Sequence, residues 1–177
     1  LDPIEAALRF EKKYFMNCDG ALLAGSVVRG EATKTSDLDI IIFDQKIEQS
    51  YRESLIEFGW PIEVFVHNFT SYKQFFQNDY ERAKPSLQRM IAEGIVLKDD
   101  NRILVIKNEA LLILADGPEK WSDAIVKMKR YFITDVLNDF IGCENRFEGI
   151  FIANTLAEIL CEFVLRTNRK WLGTSKW

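Results

Sequence analysis

Two aspartates separated by a single residue are the feature of the sequence most suited to chemistry. Asp37 and Asp39 lead into the apolar, β-branched stretch 40–43. Residues two apart on a strand point to the same face, so the two carboxylates would converge while the alternate residues turn into a core. Converging anions repel one another unless a cation lies between them, and oxygen ligands suit a hard ion such as Mg²⁺. The pair therefore predicts a magnesium site.

The loop before the aspartates has the residue types of a phosphate site. Gly25 allows the backbone to approach a phosphate closely, and the Ser26 hydroxyl and neighbouring amides can donate hydrogen bonds to it. Arg29 adds a planar fork that suits phosphate oxygens. Ser36 supplies a further hydroxyl directly before the first aspartate. These four residues predict a phosphate cradle joined to the metal site by one loop.

Taken together, these residues resemble the signature of the DNA polymerase β-type nucleotidyltransferase superfamily, in which a Gly-Ser loop precedes an Asp-x-Asp strand. The matching motifs are Gly25-Ser26, Arg29-Gly30 and Ser36-Asp37-Leu38-Asp39. The resemblance implies a third carboxylate on a neighbouring strand, and Glu63 in the predicted strand 62–66 is the best match. It also implies two Mg²⁺ ions at the α-phosphate of a nucleoside triphosphate, bridged by the two aspartates. Glu63 would complete the site of the ion that activates the attacking hydroxyl, either as a ligand of that ion or as the acceptor of the hydroxyl proton.

The resemblance extends to small-molecule members of the superfamily, the aminoglycoside and lincosamide enzymes. It implies an enzyme that transfers a nucleoside monophosphate, AMP from ATP, to a hydroxyl of a small-molecule acceptor and releases pyrophosphate. Two alternatives stay open. The chain could be an antitoxin-like adenylyltransferase that modifies a partner protein, or a catalytically inactive nucleotide-binding module.

A small sheet must position these residues. Strands are predicted over 20–28, with a tight loop at Gly25, and over 38–43, 62–66 and 95–97. Helices are predicted over 3–16, 46–58, 72–82, 85–93, 103–115, 119–141 and 147–168. The fold class is therefore α+β: a small mixed sheet flanked by helices, as in the nucleotidyltransferase fold, followed by a C-terminal α-helical bundle. We expect a catalytic domain over 1–100 and a helical substrate-binding domain over 101–177.

Acidic residues in the predicted C-terminal helices are candidates for contact with the acceptor. Asp135 and Glu158 lie beside apolar helix positions and could hold a cationic acceptor, although a solvated helix flank is the favoured explanation. The net charge of −4 and the absence of a basic stripe disfavour a nucleic-acid partner. A homodimer with a shared site stays open, because the cleft of a single chain is expected to be shallow.

The remaining sequence features concern the compartment and the single histidine. The three cysteines are far apart and form neither a zinc motif nor a disulfide framework, which indicates a reducing cytoplasm. No apolar run reaches the length of a membrane span, so no membrane partner is expected. His67 follows a predicted strand, and we expect it to end that strand rather than to take part in chemistry.

Overall fold

A five-stranded mixed sheet forms the centre of the first part of the chain in the computed structural model, which describes residues 1–173. Its strand order is β3-β4-β2-β1-β5. The central β2 and β4 pair in parallel, and every other neighbouring pair is antiparallel. The strands are β1 (Gly20–Ala24), β2 (Leu38–Phe43), β3 (Tyr51–Glu57), β4 (Trp60–His67) and β5 (Ile95–Lys98).

Residues 1–173 also form six helices, which confirm the predicted α+β class with helices at the C-terminal end. The first helix begins where the sequence indicates, because the Asp2 carboxylate accepts hydrogen bonds from the amides of Ile4 and Glu5 and Pro3 occupies the first turn. The helices are α1 (Pro3–Tyr14), α2 (Ser71–Glu81), α3 (Ser86–Glu93), α4 (Ile103–Asp116), α5 (Asp123–Gly142) and α6 (Arg146–Thr167). None of them, within residues 1–173, is both long and apolar enough to cross a membrane.

The predicted helix over 46–58 is wrong, since this stretch contains the edge strand β3. Phe58 and Gly59 form the two-residue turn into β4 and both have positive φ, +54° and +83°. Positive φ at both central residues is the geometry of the hairpin turn that matches strand twist. Ile47, Leu55 and Phe58 all pack against one core cluster, but they reach it from a loop, a strand and a turn. Their helix-like spacing arises because all three contact the same core, although they do not belong to one helix.

Both faces of the sheet are buried, and alternation along the strands assigns each residue to one face. Helix α1 covers the first face, where its Phe10 lies among alternate residues of the central strands. Helices α2, α3 and α4 cover the second face. On β2, Leu38, Ile40 and Ile42 belong to the first face, as predicted, and Ile41 belongs to the second. Residue 39, two positions before Ile41, consequently points to the second face.

Contacts divide the chain into two units. The first contains Leu1–Asp79 and Pro85–Asp116, and thus the whole sheet and α4. Helix α4 belongs there because Ile103, Ile106 and Ala110 are buried in the second core cluster. The second unit contains Tyr80–Lys84 and the chain from Gly117, with α5 and α6. The functional division predicted at residue 100 stays a prediction.

Candidate active site

Three carboxylates predicted from the sequence converge at one end of the central strands. Asp37 precedes β2, Asp39 is its second residue, and Glu63 lies directly beside Asp39 in the parallel register of β2 and β4. One oxygen of each group lies within 4.8 Å of the others. The parallel pairing explains the convergence, because residues in register on adjacent strands project from the same face.

Gly25 makes room for the central carboxylate of this cluster. The antiparallel pairing of β1 and β2 places Ala24 opposite Asp39, so the next residue passes close to the aspartate side chain. A Cβ atom on Gly25 would lie 2.0 Å from Asp39 Oδ2, well inside van der Waals contact. The residue also has a φ of +84°, which glycine adopts without strain. Two independent constraints therefore require glycine at this position.

The environment of Asp39 favours its neutral form when no cation is present. Burial, followed by the charges of Asp37 and Glu63, raises the pKa of Asp39 from its ordinary value of 3.8 to about 6. The positive charges of Arg52 and Arg29 oppose this rise in pKa. An ion bound among the three carboxylates would replace the proton and remove the mutual repulsion.

The donor set fits a hard divalent cation. All three groups offer carboxylate oxygens, which suit Mg²⁺ or Mn²⁺, and the cluster contains neither a thiolate nor an imidazole. Adjacent ligands of an octahedral Mg²⁺ lie about 3.0 Å apart and opposite ligands about 4.2 Å apart, so the three oxygens, which lie within 4.8 Å of one another, can share an ion after the side chains move closer together. Asp37, Asp39 and Glu63 are all partly buried, which limits competition from water.

Hydrogen bonds that involve Ser26 and Ser36 connect the two ends of the predicted phosphate loop. The Ser26 hydroxyl donates to Ser36 Oγ at 3.1 Å, and the Thr33 amide donates to the same Ser36 oxygen at 2.8 Å. The Glu31 amide donates to the Ser26 carbonyl at 2.9 Å. These bonds join the end of β1 to the start of β2, so the loop holds Gly25, Ser26 and Ser36 beside the carboxylates.

Arg29 is held by two acidic residues at the edge of the site. Its Nε donates to Glu31 Oε2 at 2.8 Å, and its Nη1 donates to Glu93 Oε2 at 3.4 Å. Its charge still reaches Asp39, whose pKa it lowers. The side chain is 31 % exposed, so its guanidinium can exchange these carboxylates for phosphate oxygens without unfolding the loop.

Two residues that touch the cluster were missed from the sequence, Arg52 and Ser54 of β3. The Ser54 hydroxyl donates to Glu63 Oε1 at 3.2 Å, and Arg52 donates to the same oxygen through Nε and pairs with it through Nη2. They were missed because a helix was predicted over 46–58. Residues two apart point in different directions on a helix, whereas they share a face on a strand. Gly59, which lies between the segments of β3 and β4, was the available signal for a turn.

A small cavity adjoins the carboxylates on the side of β3 and β4. Its volume is about 220 Å³, and it is open to solvent. Polar groups of Asp37, Ser54 and Glu63 line one part of it, and the rest of the wall is largely apolar. The remaining lining residues are Leu55, Ile56, Pro61 and Ile62. The cavity offers space for an uncharged group next to the carboxylate cluster.

The acidic residues proposed for the acceptor lie in the second unit. Asp135 on α5 and Glu158 on α6 are both exposed, and Glu158 Oε1 accepts a hydrogen bond from Asn154 at 3.0 Å. Their role in acceptor binding stays a prediction. His67, by contrast, is the last residue of β4 and is buried beside Phe43 and Phe75, where burial lowers its pKa to about 4.

Residues 8–85 match the family model described as the nucleotidyltransferase domain, and this range contains all three carboxylates and the loop before them. Among solved structures, the chain is similar to a nucleotidyltransferase-like protein from Exiguobacterium sibiricum 255-15, with 11 % sequence identity and a TM-score of 0.48. That alignment covers 93 % of this chain and 57 % of the other, so the chain spans little more than half the length of that protein. No curated protein matches the sequence.

Proposed function

We propose that the chain transfers a nucleoside monophosphate from a nucleoside triphosphate to a hydroxyl of a small-molecule acceptor, because residues 8–85 match the model of the nucleotidyltransferase domain family. The oxygen of that hydroxyl forms a bond to the α-phosphorus. The bond from the α-phosphorus to the bridging oxygen breaks, and pyrophosphate leaves. ATP is the proposed donor, as the resemblance to the aminoglycoside and lincosamide enzymes suggests.

The convergence of Asp37, Asp39 and Glu63 within 4.8 Å is the observation that carries this proposal. An isolated pair of acidic residues is common on protein surfaces. Here two of the three carboxylates lie on adjacent strands, the third directly precedes one of those strands, and a glycine with positive φ is required for one of them to fit. Burial of unpaired acidic groups costs free energy, which a cofactor-dependent site recovers when a cation binds.

The cation proposed for the site is Mg²⁺, which when bound supplies activation of the attacking hydroxyl and neutralisation of charge on the phosphates. Asp37 and Asp39 hold it through their converging oxygens. Glu63 would complete the cation site on the side of the cavity, where it can also take the proton of the acceptor hydroxyl. Each of these roles uses a carboxylate in its ionised form.

The donor phosphates are proposed to bind on the other side of the cluster, at the loop after β1. Backbone amides near Gly25 and the Ser26 hydroxyl donate hydrogen bonds, and Arg29 contributes a positive charge. In this proposal the triphosphate lies at the loop, beside Asp39, and the acceptor approaches the reacting phosphorus from the side of Glu63. In-line displacement requires such opposite approach.

Pyrophosphate release in a panel of hydroxyl-bearing small molecules, with each of the four nucleoside triphosphates and Mg²⁺, tests this function. We expect one acceptor class to support release, and we expect its product to carry the added mass of one nucleoside monophosphate. Label that accumulates on a partner protein instead would contradict the small-molecule acceptor. Tight triphosphate binding without release for any acceptor would contradict catalysis.

A further inference from the structure

Three hydrogen-bond donors hold Glu63, and all three contact the same one of its two carboxylate oxygens. Arg52 Nε, Arg52 Nη2 and the Ser54 hydroxyl each contact Oε1. Within residues 1–173, no hydrogen bond to the other oxygen, Oε2, is formed. A carboxylate has lone pairs on both oxygens, so this arrangement fixes the plane of the group through Oε1 and leaves Oε2 available to a further ligand.

The sheet register explains how two residues of an edge strand reach the same oxygen. Ser54 lies directly opposite Glu63 in the antiparallel pairing of β3 and β4, and Arg52 lies opposite Phe65. Arg52 and Ser54 are two apart and share a face, so Arg52 is the diagonal neighbour of Glu63. The Arg52 guanidinium lies 5.1 Å from the centre of the Phe65 ring, which supports it in this position.

The exposure of the pair indicates a role other than stability. The side chain of Arg52 is 62 % exposed, whereas that of Glu63 is 15 % exposed. An ion pair with one partner so open to water contributes little to the free energy of folding. The same contact can nevertheless orient Glu63, because residues that hydrogen-bond to metal-binding carboxylates set their direction.

On the premise that the chain is a metal-dependent nucleotidyltransferase, we propose that Arg52, assisted by Ser54, is a positioning residue that holds Glu63 by Oε1 and presents Oε2 to the cation. Arg52 itself touches neither the cation nor the substrate in this arrangement. Its hydrogen bonds act through Glu63 alone, whereas its charge also reaches Asp39. Removal of that charge lowers the repulsion of a cation and does not weaken cation binding by itself. Loss of Arg52 therefore weakens cation binding only while Glu63 is present.

A double-mutant cycle on cation affinity tests this dependence. Binding of Mn²⁺ to the nucleotide-free chain would be followed by the electron paramagnetic resonance signal of the free ion in four proteins: the unmodified chain, Arg52→Gln, Glu63→Gln and the double variant. We expect Arg52→Gln to weaken Mn²⁺ binding by about tenfold, the size typical of a lost partner of a metal ligand. In the Glu63→Gln background, the same change should have no further weakening effect.

Three further variants separate orientation from charge and folding. Ser54→Ala removes a neutral donor to Oε1 and should weaken Mn²⁺ binding by a smaller factor. Arg52→Lys keeps the charge and one donor and should recover part of the affinity. Arg9→Gln removes a positive charge from α1, in an ion pair with Glu5, and should change nothing. Unchanged thermal melting of the Arg52 variants excludes a loss of fold.

Three results would overturn the proposal. The first is Mn²⁺ binding that is unchanged or tighter in Arg52→Gln, which would make Arg52 irrelevant or a competitor of the cation. The second is equal weakening with and without Glu63, which would mean that Arg52 acts independently. The third is an unmodified chain that does not bind Mn²⁺. If the unmodified chain binds Mn²⁺ but releases no pyrophosphate, the proposed function fails and the role of Arg52 stands.

Discussion

Gly25 and Asp39 are in such close contact that a Cβ atom on the glycine would lie 2.0 Å from Oδ2 of the aspartate. The sequence suggested that Gly25 serves the approach of a phosphate. The structure adds that the missing side chain first gives space to the central carboxylate. The proposed phosphate loop and the proposed cation site therefore share Gly25, and a change at this residue is expected to disturb both.

Replacement of Gly25 by alanine is expected to weaken cation binding and to reduce kcat by about 100-fold, because displacement of a reacting group by about 1 Å has effects of that size. The φ of +84° adds strain of about 1 kcal/mol for alanine. Mn²⁺ titration and steady-state kinetics measure the first effect, and thermal unfolding measures the second.

Gly59→Ala is the matched control for this prediction. Gly59 has a φ of +83°, but a Cβ atom there would have no neighbour within 4 Å. The variant should lose similar stability while it retains cation binding. If Gly25→Ala and Gly59→Ala affect Mn²⁺ binding alike, strain alone explains Gly25 and the contact with Asp39 is unimportant.

Cation binding should release a proton at mildly acidic pH. Burial and two neighbouring carboxylates raise the pKa of Asp39 to about 6, so this group is largely protonated at pH 5.5 and largely ionised at pH 8. Calorimetry of Mn²⁺ binding in buffers of different ionisation enthalpy should show about one proton released at pH 5.5 and almost none at pH 8. Equal proton release at both values would contradict the assignment.

The same pKa predicts the pH dependence of stability without a cation. An aspartate has a pKa of about 3.9 in an unfolded chain. Between about pH 4 and 6 the folded protein binds more protons at Asp39 than the unfolded chain does, so stability falls as pH rises through this window. Asp39→Asn should remove this component, and chemical denaturation at pH 4.5 and 7 should show it. A pH dependence identical in both proteins would contradict the prediction.

The sequence predicted the site residues that local spacing places, and it missed those that only strand pairing brings to the site. Asp37 and Asp39 were found because alternation on one strand fixes their common face. Glu63 was matched through the resemblance, and the parallel register of β2 and β4 then placed it beside Asp39. Arg52 and Ser54 were missed, because only pairing with β4 makes their segment a strand.

The fold shows the same contrast between local and long-range causes. The helix predicted from residue 3 begins at Pro3, and the structure adds that the Asp2 carboxylate caps it. The position of α4 was harder to predict, because its sequence resembles the helices that follow. Only burial of Ile103 and Ile106 against β-strand residues shows that it belongs to the sheet unit.

Arg29 is expected to bind the triphosphate rather than the cation. Arg29→Gln should raise KM for the triphosphate by about tenfold, since one charge-assisted hydrogen bond contributes about 1.5–3 kcal/mol. Mn²⁺ binding without nucleotide should not weaken. Arg9→Gln serves as the control, because Arg9 also forms an ion pair but lies on α1. Weaker Mn²⁺ binding with unchanged KM in Arg29→Gln would contradict this assignment.

Pyrophosphate release by Asp37→Asn, compared with the unmodified chain at saturating Mg²⁺ and triphosphate, tests the central claim most directly. The substitution keeps the size of the side chain and removes one of the three converging charges. We predict release that depends on Mg²⁺ in the unmodified chain and falls by at least about 100-fold in the variant, with thermal unfolding unchanged. Release that survives in Asp37→Asn at the original rate would contradict the assignment of the carboxylate cluster as the catalytic centre.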